Sequence, residues 1–159
     1  MSDAQAGHEK TLTALLPALA GANVIYGLGM LEMGITFDFG QLLMDNDFAG
    51  MIKYVVRGIP VTDATLSVDV INEVGPFGEF VSHDNTYAYM RTTSRPRLID
   101  RSRRGAWMDK GGKDLYQRSV EEAQHILETH KPKPLPEKTV ANIQSIIRET
   151  ERELGLSKG

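Results

Sequence analysis

The segment Ala20–Gly40, AGANVIYGLGMLEMGITFDFG, reads as one short buried strand that opens into a glycine-lined loop. Asn23 to Leu28 is nearly all apolar, carries Val24, Ile25 and Tyr26, and lies between Gly21 and the Gly27/Gly29 pair. Such a run suits a strand covered on both faces, as in parallel sheets. Past it the loop carries a lone acid, Glu32, among Gly29, Met30, Leu31, Met33 and Gly34. A charge in apolar surroundings is costly, so Glu32 is expected to need a cationic partner or a shifted pKa.

Working outward, Gln5 to Ala20 reads as a helix capped by Ser2 or Asp3, with Leu12, Leu15, Leu16 and Leu19 as a buried stripe. Pro17 is expected to bend its last turn and Gly21 to end it. On the other side, Asp38 with Gln41 makes a capping box for a helix whose stripe is Phe48, Met51, Ile52, Val55, Val56 and Ile59. Gly58 and Pro60 stop that helix. A helix, strand, helix order with short joints is a slice of an α/β repeat.

Beyond Pro60 the alternation stops. Thr62 or Asp63 caps a helix with Leu66, Val70, Ile71 and Val74 on one face, ended by Gly75-Pro76; Phe77 to Val81 reads as a packed loop. Asp84 or Asn85 starts a short helix through Arg91, and a turn of helix surrounds Trp107. After Gly111-Gly112, helices are expected over Lys113–His130, with Leu115, Val120, Ala123 and Leu127, and over Glu137–Leu154, with Val140, Ile143, Ile146 and Ile147. Between them KPKPLP is a stiff extended linker. Ser157–Gly159 is expected to fray.

At 159 residues the chain is long enough for one core but short of the roughly 250 residues of an eight-stranded barrel. A single strand cannot make a sheet, so the strand needs polypeptide from elsewhere or the chain is helical throughout. A net charge of −3 gives no sign of a polyanion-binding protein. The chain has no cysteine, which removes disulfides and thiolate metal sites. The amino terminus has no apolar signal core, and a cytoplasmic location is expected.

The run QAGHEKTLTALLPALAGANVIYGLGMLEMGITFDFGQLLMDNDFAGMIKYVVRGI resembles the carboxyl-terminal part of the trimethylamine:corrinoid methyltransferase family. The resemblance continues through GPFGEFVSHDNTYAYMRT, Trp107 and the last helices, covering essentially the whole chain. It implies that the chain is roughly the final third of an α/β protein with a TIM-barrel catalytic domain. Residues 1–59 are then the last strand-helix part of the barrel and 60–159 a helical extension, the chain itself being mainly α-helical. The implied function is methyl transfer from trimethylamine to the Co(I) corrinoid of a separate protein, in methylamine metabolism and methanogenesis. No cofactor is expected on this chain. Implied partners are the upstream part of the same methyltransferase, the cognate corrinoid protein and a small methylamine, in a homo-oligomer, without nucleic acid or membrane.

In the trimethylamine-specific members of that family the opening segment closely follows a pyrrolysine, encoded by an amber codon. A gene reading that stops there would restart at Met1, and the chain alone is expected to be inactive. Two alternatives stay open. One is a pyrrolysine-free homologue acting on glycine betaine or another quaternary amine; the other is a non-catalytic helical binding module.

A methylated ammonium asks for a carboxylate and aromatic surface. Glu32 is the first candidate, with Tyr26 and Phe37 as the nearest aromatics; pairing with an arginine and core packing are the competing readings. Gln5 and His8 come next, His8 as an acid, base or donor near neutral pH, or as a solvated first-turn residue. His83 and Asp84 are adjacent and do not generally face one another, and Asp84 is better explained as a helix cap. His125 and His130, five apart, lack metal-ligand spacing. The arginines 91, 95, 97, 101, 103 and 104 suit docking of an acidic partner better than nucleic acid.

Overall fold

The computed structural model describes residues 1–156, so the expected fraying of Ser157–Gly159 lies outside the described residues. The chain is mainly helical, with eight α-helices and one two-residue antiparallel hairpin among the described residues. It divides into two compact units, Met1–Ile126 and the residues from Leu127 onward.

Helix α1 spans Ala4–Leu19, and the Asp3 carboxylate accepts the Ala6 N–H at 3.0 Å, filling one of the open donors of the first turn. Pro17 lies within the helix. At the end, Gly21 takes a φ of 88°, its N–H reaches Ala18 and the Ala22 N–H reaches Pro17, the paired closure that a left-handed glycine permits. The expected burial of the leucine stripe is corrected. Leu12, Leu16 and Leu19 are 43%, 64% and 58% exposed, because α2, the helix that packs on α1 among the described residues, leaves that face uncovered.

The strand expected at Asn23–Leu28 does not form in this chain. Those residues make no ladder, and Val24 and Tyr26 are 80% and 87% exposed. A strand is held by hydrogen bonds to a neighbour, and the described residues supply none. Pairing begins two residues later: β1 (Met30–Leu31) meets β2 (Thr36–Phe37), with Met30 opposite Phe37 and Leu31 opposite Thr36. A 3₁₀ turn, Glu32–Gly34, joins them.

Helix α2, Phe39–Val56, starts where the Asp38 carboxylate accepts the Gln41 N–H at 2.5 Å. The reciprocal half of the expected capping box is absent, because the Gln41 amide turns to Asp45 instead. Of the apolar stripe Ile52 is buried, Phe48 and Met51 half-buried, and Val55, Val56 and Ile59 exposed. The single helix expected after Thr62 is two: α3 (Asp63–Leu66), with Thr62 and Thr65 forming a complete capping box, and α4 (Val68–Val74), broken at Ser67 with φ 52°. Phe77 to Val81 is not packed; Phe77 is fully exposed with φ 68°. Helix α5, Asp84–Tyr89, is capped by His83, whose Nδ1 accepts the Asn85 N–H at 3.1 Å, so the cap is the histidine and not Asp84.

Helices α6 (Arg104–Asp109) and α7 (Leu115–Thr129) are joined through Trp107, whose Nε1 donates to the Lys113 carbonyl at 2.8 Å. The base of α7 closes on the start of α2. Tyr116 donates its hydroxyl to Asp38 at 2.8 Å, and Gly40 leaves room for the Tyr116 ring and Val120. The Asp38 carboxylate raises the Tyr116 pKa, with burial adding to it, since a phenolate would face an anion. In the second unit, residues 130–136 form no helix or strand, and α8 runs over Glu137–Glu153 with no buried residue.

Two outcomes test this packing. A Cβ on Gly40 would stand 2.8 Å from Tyr116 and 2.9 Å from Val120, so Gly40→Ala should lower unfolding stability by about 1–3 kcal/mol in urea. Gly50→Ala, which meets nothing within 4 Å in the same helix, should raise it by about 0.5–1 kcal/mol. Tyr116 is raised in the fold, so its share of stability is complete below the ordinary tyrosine range and fades as pH climbs through the folded-state value. Asp38→Asn should bring the late tyrosine ionisation seen by ultraviolet titration back toward the others.

Candidate functional site

One concavity of about 500 Å³ gathers the first turns of α1, the Tyr26–Gly27 segment and the β-hairpin turn. Its walls include Gln5, Glu9, Lys10, Tyr26 and Glu32. The structure therefore brings together three of the five residues singled out from sequence, Gln5, Tyr26 and Glu32. It leaves two apart. His8 is exposed on α1 outside the cleft, and Phe37 packs edge-on against Phe39 with ring centres 5.2 Å apart.

Glu32 reaches the cleft because the chain turns abruptly beneath it. Glu32 and Met33 both hold left-handed backbone, with φ of 50° and 52°, a conformation that costs energy for residues with a Cβ. Among the described residues Glu32 has no cationic partner: it is exposed, and its Oε2 accepts the Thr36 hydroxyl at 2.7 Å. Gln5 is turned toward Glu9, donating from Nε2 to Oε1 at 2.9 Å. The cleft thus presents three exposed carboxylates, Glu9, Glu32 and the helix-capping Asp3, beside Tyr26, an arrangement attractive to a small cation.

What fixes the cleft is a buried carboxylate that sequence reading passed over. Asp45, 7% exposed on α2, accepts Lys10 Nζ at 2.6 Å and the Gly29 N–H at 2.8 Å through Oδ2, and Gln41 Nε2 at 2.7 Å through Oδ1. Lys10 also donates to the Gly27 carbonyl at 3.2 Å. Three parts of the cleft are thereby tied to one side chain. Gly29 adds a close approach: φ is 75° and a Cβ would stand 2.7 Å from the Phe37 ring. The sequence did hold a signal, since Gln41 and Asp45 continue the helical spacing of Phe48 and Ile52 and so fall on the buried face.

Asp47 does comparable work on the other side of α2. Buried to 6% exposure, it accepts the backbone N–H groups of Arg97, Leu98 and Ile99 at 3.1, 2.7 and 3.3 Å. The arginine stretch is therefore anchored from below. Arg97 also pairs with Glu122 at 3.8 Å, and Arg101 donates to the Ser94 carbonyl. His83 lies 3.6 Å from Glu73. Among the described residues no cluster of three or more histidine, aspartate or glutamate side chains is placed to hold a metal ion. Among them, too, no helix is long and apolar enough to cross a membrane.

Comparison with known proteins follows this geometry closely. The family model for trimethylamine methyltransferase (MTTB) matches residues 1–155. The chain is 60% identical over 156 residues to the trimethylamine methyltransferase MttB of Desulfitobacterium hafniense, covering 98% of this chain and 32% of that protein. It is 45% identical over 150 residues to trimethylamine methyltransferase MttB2 of Methanosarcina mazei, covering 94% and 30%. With a glycine betaine methyltransferase of D. hafniense identity falls to 31% over 155 residues, covering 96% and 32%. The chain thus spans about a third of the length of these relatives.

Removing the buried anchor should loosen the whole cleft. Asp45→Ala strands Lys10, the Gly29 N–H and the Gln41 amide, and about 3 kcal/mol of unfolding stability should be lost in urea. Asp45→Asn keeps an acceptor for Gly29 and should cost less than Asp45→Ala.

Proposed function

We propose, from the fact that the chain belongs to the trimethylamine methyltransferase family, that it forms the carboxyl-terminal third of an enzyme that demethylates trimethylamine. The observation that carries this reading is the gradient of identity: 60% to a trimethylamine methyltransferase against 31% to a glycine betaine methyltransferase, over nearly the same residues. A corrinoid held by a partner protein would, when bound, supply the Co(I) nucleophile that takes the methyl group. From trimethylamine protonated on nitrogen, dimethylamine would leave with the electron pair of the broken C–N bond and keep that proton.

The role of this chain is to hold the amine. Glu32, displayed at the head of the hairpin turn, and Glu9 attract its positive charge, while the face of Tyr26 contacts its methyl surface. Gln5 orients Glu9 by their hydrogen bond. His8 and Phe37 do not line the cleft as this chain forms it. Positioning of this kind lowers the barrier by aligning one methyl group and excluding water.

In the longer protein, residues 1–59 close a TIM barrel and residues 60–159 form a helical extension around it. The 80% and 87% exposure of Val24 and Tyr26 and the uncovered leucines of α1 support that reading, since these surfaces suit a neighbouring part of the same polypeptide. A pyrrolysine in that upstream part completes the amine pocket, and the enzyme works in the cytoplasm as a homo-oligomer.

The test is an assay of the full-length polypeptide with its corrinoid protein, following dimethylamine release. Trimethylamine should be consumed, and glycine betaine should not. Glu32→Gln should lower kcat/KM for trimethylamine about tenfold or more, because contacts with charged groups are worth roughly 1.5–3 kcal/mol. The 159-residue chain by itself should give no turnover. Preference for glycine betaine, or unchanged kcat/KM in the Glu32 variant, would overturn the substrate or the residue assignment respectively.

A further inference from the structure

On the opposite side of α2 from the buried Asp45, a second concavity carries the reverse charge. Lys53 and Arg57, one turn apart near the end of α2, form one wall, and Arg91 and Arg95, in the loop after α5, form the other. The groove they enclose is about 510 Å³ and also carries Tyr54 and Thr93. Its one acid, Asp47, has both oxygens engaged by backbone N–H groups.

Six other described cations are engaged by partners, whereas these four, like Arg103 and Arg104, are not. Lys10, Arg97, Lys110 and Lys113 each have a carboxylate partner, and Arg101 and Arg118 donate to backbone carbonyls. Among the described residues Lys53, Arg57, Arg91 and Arg95 enter no ion pair and no hydrogen bond. In a chain of net charge −3, four unpaired cations border this hollow, Lys53 and Arg57 bordering as well the hollow between α1 and α2. Like charges lining a concavity focus a positive potential inside it, which an anion relieves.

We propose that this groove binds a small, multiply charged oxyanion bearing phosphate or carboxylate groups. Its volume lies in the range of about 300–1,000 Å³ that small ligands fill. A protein face, which covers roughly 800 Å² per partner, asks for a broader and flatter surface. Guanidinium forks match the paired oxygens of phosphate and carboxylate, and Tyr54 and Thr93 add hydroxyl donors. The ligand is opposite in charge to the amine of the first cleft, so the two sites do not compete. The proposal stands on the groove itself and is independent of the methyl-transfer reading.

Calorimetric titration of the 159-residue chain at low salt with pyrophosphate and, separately, citrate tests it. Saturable one-to-one binding of either is expected, pyrophosphate preference marking a phosphate ligand and citrate preference a polycarboxylate. Arg91→Gln/Arg95→Gln should weaken it about tenfold or more. Arg103→Gln/Arg104→Gln, which makes the same charge change outside the groove, should leave it nearly unchanged. On the unsubstituted chain, pyrophosphate or citrate should slow phenylglyoxal modification of Arg91 and Arg95 relative to Arg103, a readout free of any folding defect. Equal weakening by both double variants, no saturable binding of either probe, or groove-dependent binding of oligoglutamate alone would overturn the proposal.

Discussion

The buried carboxylate of Asp45 is the contact on which the first unit depends. A lone ionised group at 7% exposure would be untenable, and this one is met by an ammonium, a backbone N–H and a side-chain amide. Each partner comes from a different part of the chain: α1, the loop before the hairpin, and α2 itself. The fully buried hydrophobic core is small, with Met44, Ile52 and Ala123 below a tenth exposed, so directional polar contacts carry a large share of the definition of the fold. A network of this kind specifies one arrangement because any slip leaves a buried partner unmet.

Much of the helical framework was legible in the residues. Asp3, Asp38 and Thr62 cap the helices they were expected to cap, and Gly21, Gly75 and Gly111 fall where helices end, because capping is a local matter of a few neighbouring atoms. Asn23–Leu28 forms no strand among the described residues, because its apolar run satisfies the pattern while its ladder would have to come from elsewhere. The buried leucine stripe of α1 failed for the same reason. Periodicity reports which face seeks cover; it carries no information on whether cover is present within the same segment.

The candidate site was legible in part and for a different reason. Glu32 stands out as an acid among glycines and methionines, and Tyr26 as its aromatic neighbour, so composition alone drew attention to them. Glu9 and Lys10 did not stand out, since charged residues on an exposed helix are ordinary. Their presence in the cleft follows from the hairpin folding back over α1, a long-range event. Asp45 and Asp47 are the same case in reverse: both sit in the string MDND, unremarkable as text, yet they face opposite neighbours and each anchors a separate loop.

Asp38 serves two structures with one side chain. Its Oδ1 opens α2 through the Gln41 N–H, and its Oδ2 receives the Tyr116 hydroxyl from α7, 78 residues further along. Starting a helix is the slow, unfavourable step of its formation, and closing a long loop is the slow step of tertiary assembly. Here the same carboxylate participates in both. The start of α2 and the long-range docking of α7 therefore share one carboxylate, and losing it would remove both contacts at once.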